Sequence, residues 1–342
     1  MSGDGPVGDS RRGVSRPGDA RSPGTEEARV PATRSPGANE ANAKLTKLPG
    51  TEEARVPATL RRRTQKFGRG PGGTRSPETL YTARNLTPAF VLHYDWTGWP
   101  TAGETLPPQS AIVARETAPS WEKDGLRLLE PHVTAEKVQI LFSVTPQVSP
   151  TFFCMRVKGR LQHVLRKHGT PVDFSRKVSF RSLGENTSEV VENYIRGQVG
   201  KGGFADPRFR ETMRSFTVVA DDVRLAEPSE SNSGRYWYDL HLVLVAADRF
   251  RITAPEQLGR IRDAALAVAA EGGHRIAALS VMPDHVHMAL RGNIERSPEE
   301  IALAFQNGLA RAAGCRVWQD GFYVGTFSEY DLDVIRRIAR QS

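Results

Sequence analysis

Two histidines one residue apart, His285 and His287, sit in Met282-Pro283-Asp284-His285-Val286-His287, after the apolar run 276–281 and before Met288-Ala289-Leu290. Side chains alternate faces along a strand, so both imidazoles share one face and Val286 takes the other. Two imidazoles converging there make a platform for a divalent metal. The same pair also suits ordinary polar positions on a half-exposed sheet face, and the rest of the chain has to decide between the two readings. A second pair, Tyr194 and Gln198, is four residues apart and shares one face of a helix, one turn from each other. By itself that pair reads as surface or packing.

The elements that must position these groups repeat. Residues 89–96 form an aromatic, β-branched strand, an irregular segment with Pro107-Pro108 follows, and 126–133 and 138–144 read as two further strands. Apolar positions recur at helical spacing from 150 to about 167. A strand at 178–183 and a helix at 188–199, starting at Ser188-Glu189, close this half. The second half replays the order: a strand at 236–245, a helix at 255–270, two strands flanking Met282, a helix at 298–313 with Pro298 in its first turn, a strand at 317–326 and a helix at 328–341. The pattern is α+β and ferredoxin-like, used twice.

Laying the halves over each other puts Lys137 and Gln139 of the first where His285 and His287 stand in the second. At the far ends Tyr194 matches Arg337 and Gln198 matches Gln341. The histidines and the tyrosine thus belong to different copies.

The chain has 342 residues and a formal net charge of +8, a balance that suits an anionic partner such as nucleic acid. Seven of those eight charges lie in residues 1–85, which are rich in Pro, Gly, Ser, Thr and Arg, poor in aromatics, and expected to be disordered. Within them Pro-Gly-Thr-Glu-Glu-Ala-Arg-Val-Pro-Ala-Thr occurs at 23–33 and again at 49–59, and a basic run covers Arg61-Arg62-Arg63, Lys66 and Arg69. Cys154 and Cys315 have no metal-type spacing and are expected to be buried and reduced. No apolar run approaches the roughly 20 residues needed to span a bilayer, nor is there a signal-peptide core, so the expectation is a cytoplasmic protein with no membrane partner.

The 281–287 run, the segment Val317-Trp318-Gln319-Asp320-Gly321-Phe322-Tyr323-Val324-Gly325 and the helix Tyr194-Ile195-Arg196-Gly197-Gln198 together resemble the single-tyrosine HUH transposases of the TnpA type, relatives of the REP-associated tyrosine transposases. The resemblance runs over about residues 88–342 as two copies, closer in the C-terminal one. It implies two tandem ferredoxin-like HUH endonuclease domains, 86–205 with the tyrosine helix and a degenerate histidine motif and 206–342 with the intact motif. The two would form an intramolecular pseudo-dimer behind the tail at 1–85. It also implies Tyr194 as nucleophile, with His285, His287 and Gln198 holding Mg²⁺ or Mn²⁺. The substrate would be single-stranded, hairpin-containing DNA, cut through a 5′-phosphotyrosine and rejoined. The chain would act as a monomeric pseudo-dimer or as a dimer of fused chains. Lys137, Arg156, Lys158, Arg160 and Arg337 are candidate phosphate contacts. The competing reading is a catalytically inactive or domesticated single-stranded or hairpin DNA-binding protein.

Overall fold

The computed structural model describes residues 80–202, 204 and 206–330. All of them lie in one compact unit, Ala38–Ser342. The internal repeat, the basic run at 61–69, Arg337 and nearly all of the expected last helix fall outside the described residues. Ser328 to Tyr330, its expected start, are not helical. The described chain starts ahead of residue 85. Tyr81 is fully buried, and its hydroxyl donates to the Trp318 carbonyl at 2.9 Å and accepts from the Trp318 amide at 2.8 Å.

Each half runs β-α-β-β-α-β. In the first these are β2 (His93–Pro100), α1 (Ser110–Glu122), β3 (Leu126–Val133), β4 (Val138–Val144), α2 (Pro150–Lys167) and β5 (Phe174–Leu183). Helix α1 replaces the irregular segment read from the sequence, where Pro107, Pro108 and an internal Pro119 obscure the buried series Val113, Ala114, Thr117 and Trp121. The tyrosine helix α3 (Ser188–Arg196) follows, then a short α4 (Gln198–Lys201) after a break at Gly197. Its cap is Thr187 rather than Ser188, the Thr187 side chain accepting from the Val190 amide.

A connecting stretch carries α5 (Pro207–Arg214), β6 (Thr217–Val219), β7 (Ser229–Ser231) and β8 (Gly234–Trp237). The second half then follows as β9 (Asp239–Val245), α6 (Pro255–Gly272), β10 (Arg275–Met282), β11 (His285–Arg291), α7 (Pro298–Ala313) and β12 (Gly321–Thr326). Helix α7 carries its boundary chemistry in sequence: Ser297 and Glu300 form a capping box, Pro298 opens the first turn, and Gly314 ends it at φ +80°.

The strands make two six-stranded sheets, β3-β4-β2-β5-β8-β7 and β6-β10-β11-β9-β12-β1, where β1 is Thr87–Val91. Within each half the order is the same, and the strand ahead of it has crossed to the other half's sheet. β1 runs parallel to β12, and β8 runs parallel to β5. The single strands read from sequence at 89–96 and 236–245 are therefore each two strands, broken at Leu92 and Tyr238. The crossing is packed by aromatic rings from both halves: Tyr94 meets Phe180 at 4.8 Å and Tyr238 at 6.1 Å, and Phe180 stacks on Tyr236 at 5.9 Å. Of the cysteines, Cys154 is buried as expected, but Cys315, just past α7, is exposed.

Arg291, at the end of β11, ties the connecting stretch to the second sheet. Its guanidinium donates to Asp239 at 2.5 Å and to the carbonyls of Leu225 at 2.6 Å and Glu227 at 2.8 Å. Burial drives the Asp239 carboxyl up to about 6 against the opposing pull of Arg291, so removing the guanidinium strands an acid in the core. Arg291→Met is expected to lower the unfolding free energy by about 3–5 kcal/mol, read as a shift of the urea midpoint at unchanged slope.

Candidate active site

The hairpin between β10 and β11 turns through Pro283-Asp284, with Met282 opposite His285 and Ser280 opposite His287. The two histidines share a face, as strand alternation requires, with ring centroids 5.0 Å apart. On the neighbouring strand β9, Val243 lies opposite His287, and His241, two residues earlier, comes diagonally alongside. The Nε2 of His241 and the Nδ1 of His287 are 3.1 Å apart in a hydrogen bond, both side chains being buried. His285 directs its Nδ1 at Asp284 Oδ1, 2.7 Å away, and Arg249 binds the same carboxylate at 3.2 Å. Burial raises the Asp284 carboxyl, but the hydrogen bond and charge of His285 outweigh it and hold the group below its usual range.

Both buried imidazoles are neutral at ordinary pH. Burial lowers His241 to about 4. Burial, reinforced by the nearby His285, His241, Lys201 and Arg249, holds His287 well below its usual value.

The tyrosine comes from the other half. Helix α3 starts where the Ser188 amide donates to the Ser328 carbonyl at 2.7 Å, and it lies across β10 and β11 rather than on its own sheet. Val191, Tyr194 and Ile195 pack there with Ala277, Ala278, Ala289 and Phe327. The three alanines leave room for a helix to approach the sheet closely. Tyr194 is buried with its ring edge-on to His287 at 5.4 Å and to His241 at 6.3 Å, and the Lys201 ammonium lies 4.2 Å from its centroid. Gln198 is buried, and its side-chain amide donates to the Tyr194 carbonyl at 3.1 Å, keeping the one-turn relation across the Gly197 break.

The structure thus brings Tyr194, His285 and His287 together, with Gln198 one turn from the tyrosine. Sequence reasoning missed His241, Asp284 and Lys201. The signal for His241 was a lone imidazole inside the apolar run of β9.

Among the described residues no cluster of three or more His, Cys, Asp or Glu is arranged to hold a metal. Beyond the two imidazoles, the Gln198 amide oxygen is the nearby group of the right type for a hard divalent ion. The imidazoles fit the task. Each has Nδ1 committed to a hydrogen bond, which leaves Nε2 for a ligand and fixes the ring, the pattern of a metal-bound histidine with its outer partner.

The equivalent place in the first sheet is different. Gln139, opposite Thr97, stands where His287 stands opposite Val243. Asp95 stands where His241 does. The Gln139 amide donates to both Asp95 oxygens at 3.1 and 3.2 Å. Burial raises the Asp95 carboxyl to about 6, against the pull of Gln139 and Arg181. This acid–amide pair satisfies itself, and Lys137 adds a positive charge nearby. Of the candidate phosphate contacts, Arg156 and Arg160 pair with Asp124, at 3.7 and 2.6 Å, and Lys158 donates to the Ser175 carbonyl at 2.9 Å.

Residues 235–341 match the family of IS200-like transposases. Over that segment the sequence is Y1-transposase-like. A curated relative, the ISDra2 transposase TnpA of Deinococcus radiodurans, is 25% identical over 117 residues, covering 30% of this chain and 84% of the relative. A solved structure of a transposase candidate from D. radiodurans R1 is 23% identical, covers 30% of this chain and 88% of its own, and has a TM-score of 0.25. The regulatory subunit of aspartate kinase from Thermus thermophilus covers 65% of this chain and 93% of its own at 10% identity, with a TM-score of 0.17.

Isothermal titration with Mn²⁺ checks the donor set. His285→Ala and His287→Ala are expected to abolish binding. His241→Ala, which removes only the outer partner, is expected to weaken it by about 10–100-fold, and Tyr194→Phe to leave it unchanged.

Proposed function

We propose that the protein is a divalent-metal-dependent endonuclease and strand transferase for single-stranded DNA, acting through a 5′-phosphotyrosine at one composite site per chain. The observation that carries this reading is the Tyr194 ring lying 5.4 Å from His287, a phenol from one half held against the histidines of the other. In this reading the halves, at about 86–205 and 206–342, are an intramolecular pseudo-dimer of HUH domains. The match of residues 235–341 to the IS200-like transposases and the likeness of the chain to ISDra2 TnpA support it.

His285, His287 and Gln198 would hold Mg²⁺ or Mn²⁺. Such an ion, when bound, supplies a Lewis acid that orients a phosphate oxygen and offsets charge developing at phosphorus. The rest falls to the chain. Asp284 and His241 hold the two imidazoles in the required tautomer and orientation. Helix α3, pinned at Ser188 and packed on the alanine face, holds the Tyr194 hydroxyl against the scissile phosphodiester, which removes much of the entropic cost of a bimolecular attack. A phenol with an ordinary pKa of about 10 is a poor nucleophile at neutral pH. The Lys201 ammonium, 4.2 Å from the ring centroid, packs over the face of the nucleophile's ring.

Attack forms the Tyr194 Oη–P bond and breaks P–O3′, and the departing oxygen leaves as a free 3′-OH on taking up a proton. Bond energy is kept in the phosphotyrosine ester, so a 3′-OH can reverse the step and join strands without ATP. The Asp95–Gln139 pair leaves the first half's equivalent position without metal chemistry, hence one active site per chain.

Denaturing gels with hairpin oligonucleotides labelled at either end and Mn²⁺ test the reading. A covalent protein–DNA adduct is expected with the native chain and with Tyr323→Phe, and none with Tyr194→Phe or His285→Ala. Cleavage that survives Tyr194→Phe would replace the covalent mechanism by direct hydrolysis. Retained binding without any adduct would leave a DNA-binding protein.

A further inference from the structure

Beside the histidines lies a cavity of about 380 Å³ that the chemistry above does not use. His285 and Met282 form its inner wall, Phe204 and Phe209 its side, and Arg251 and Thr253 its rim. We propose that this cavity takes one unstacked nucleobase of the cleaved strand, next to the scissile phosphate. The proposal rests on the reading of the site given above.

Three observations carry it. First, His285 lines both the cavity and the metal platform, so a phosphate held at the histidines places the adjoining nucleotide at the cavity mouth. Second, the aromatic wall is half-buried rather than part of the closed core. Phe204 and Phe209 meet edge to face at 5.5 Å and still line open space. Aromatic faces beside a basic groove are what sequence-tolerant single-strand binding uses. Third, Arg251 is exposed and makes no hydrogen bond or ion pair among the described residues, while both acids lining the cavity are spent, Asp206 on capping α5 and pairing with Arg208 and Asp284 on His285 and Arg249. The unspent charge at the rim is positive, as a nucleotide requires. The volume is at the lower end of small-molecule sites, roughly 300–1,000 Å³, suited to a single base.

The aromatic wall belongs to the stretch connecting the halves, outside the 235–341 segment that matches the transposase family. Gly202 shapes it: a Cβ there would collide with the Phe204 ring.

The test uses the full chain carrying Tyr194→Phe, so that nothing is cleaved. It compares binding, in fluorescence anisotropy, of a labelled oligothymidylate of about 12 nucleotides with that of an abasic phosphodiester of the same length. Adding Phe204→Leu and Phe209→Leu, which keep apolar bulk, is expected to weaken oligothymidylate binding about 10-fold and to leave the abasic chain unchanged. Gly202→Ala, which displaces the ring without deleting a group, is expected to do the same, and Arg251→Gln to weaken both probes. Thermal melting of each variant confirms the fold. Equal losses on both probes, or none, would overturn the base pocket and indicate that the cavity serves packing or another ligand. The adduct assay with intact Tyr194 separates the two claims. An adduct with no base-selective loss sinks the pocket alone, and a base-selective loss with no adduct from any oligonucleotide sinks the covalent chemistry alone.

Discussion

The structure depends on two crossings of the chain, at Leu92 and Tyr238, where a strand leaves one sheet and continues in the other. Both residues are buried, and a hydroxyl clamps each crossing. Ser182 Oγ accepts from the Asp239 amide and donates to the Phe327 carbonyl, while Thr326 Oγ1 accepts from the His93 amide and bonds the Leu183 carbonyl. Neither sheet is complete without the other half. The crossing also decides where the chain goes after β5. At Gly184 it runs so close to the Thr326 carbonyl that a Cβ would collide, and from there α3 passes onto the second sheet. The tyrosine helix reaches the histidines because the backbone delivers it there, and the alanine face of β10 and β11 lets it settle.

Given that backbone, the difference between the two sheets is electrostatic. At one position the buried His241 pairs with the buried His287; at the other the buried Asp95 pairs with the half-buried Gln139. In both cases a buried polar atom is satisfied by its neighbour, as burial demands, but the consequences differ. An imidazole uses one nitrogen for its partner and keeps the other free for a ligand. The Asp95 carboxylate takes the Gln139 amide on both oxygens, and Lys137 beside them repels a cation. In the proposed reading, the same sheet geometry gives a metal platform in one half and a closed hydrogen bond in the other.

Much of this was legible in the chain. The alternation that puts His285 and His287 on one face follows from strand geometry, and the register of β4 and β11 supports the match of Gln139 with His287 made by laying one half on the other. Much of the order of elements was readable because several helices and strands carry their own periodicity or caps, as at Ser297–Glu300. What sequence could not give was contact across elements. His241 acquires its meaning only from a diagonal neighbour on another strand, and Lys201 only because the helix breaks at Gly197 and the short α4 turns it back over Tyr194. Helix α1 was hidden by its prolines, and the strand crossings by runs that look continuous from Ala89 to Trp96 and from Tyr236 to Val245.

The first half contributes no histidine, yet the site cannot do without it. It supplies β5, to which β8 adds, it supplies β1 to the edge of β12, and it supplies the helix that covers the histidines. A half that lacks ligands is free to vary its polar positions, as Asp95, Lys137 and Gln139 illustrate. The residues that make the crossing are not free in that way, since Ser182 and Gly184 meet the second half's backbone and the Leu183 carbonyl is held by the Thr326 hydroxyl. In the proposed reading one half is therefore a donor of strand and nucleophile and the other a donor of ligands. The number of active sites then follows from side-chain chemistry alone, because the backbone is the same on both sides.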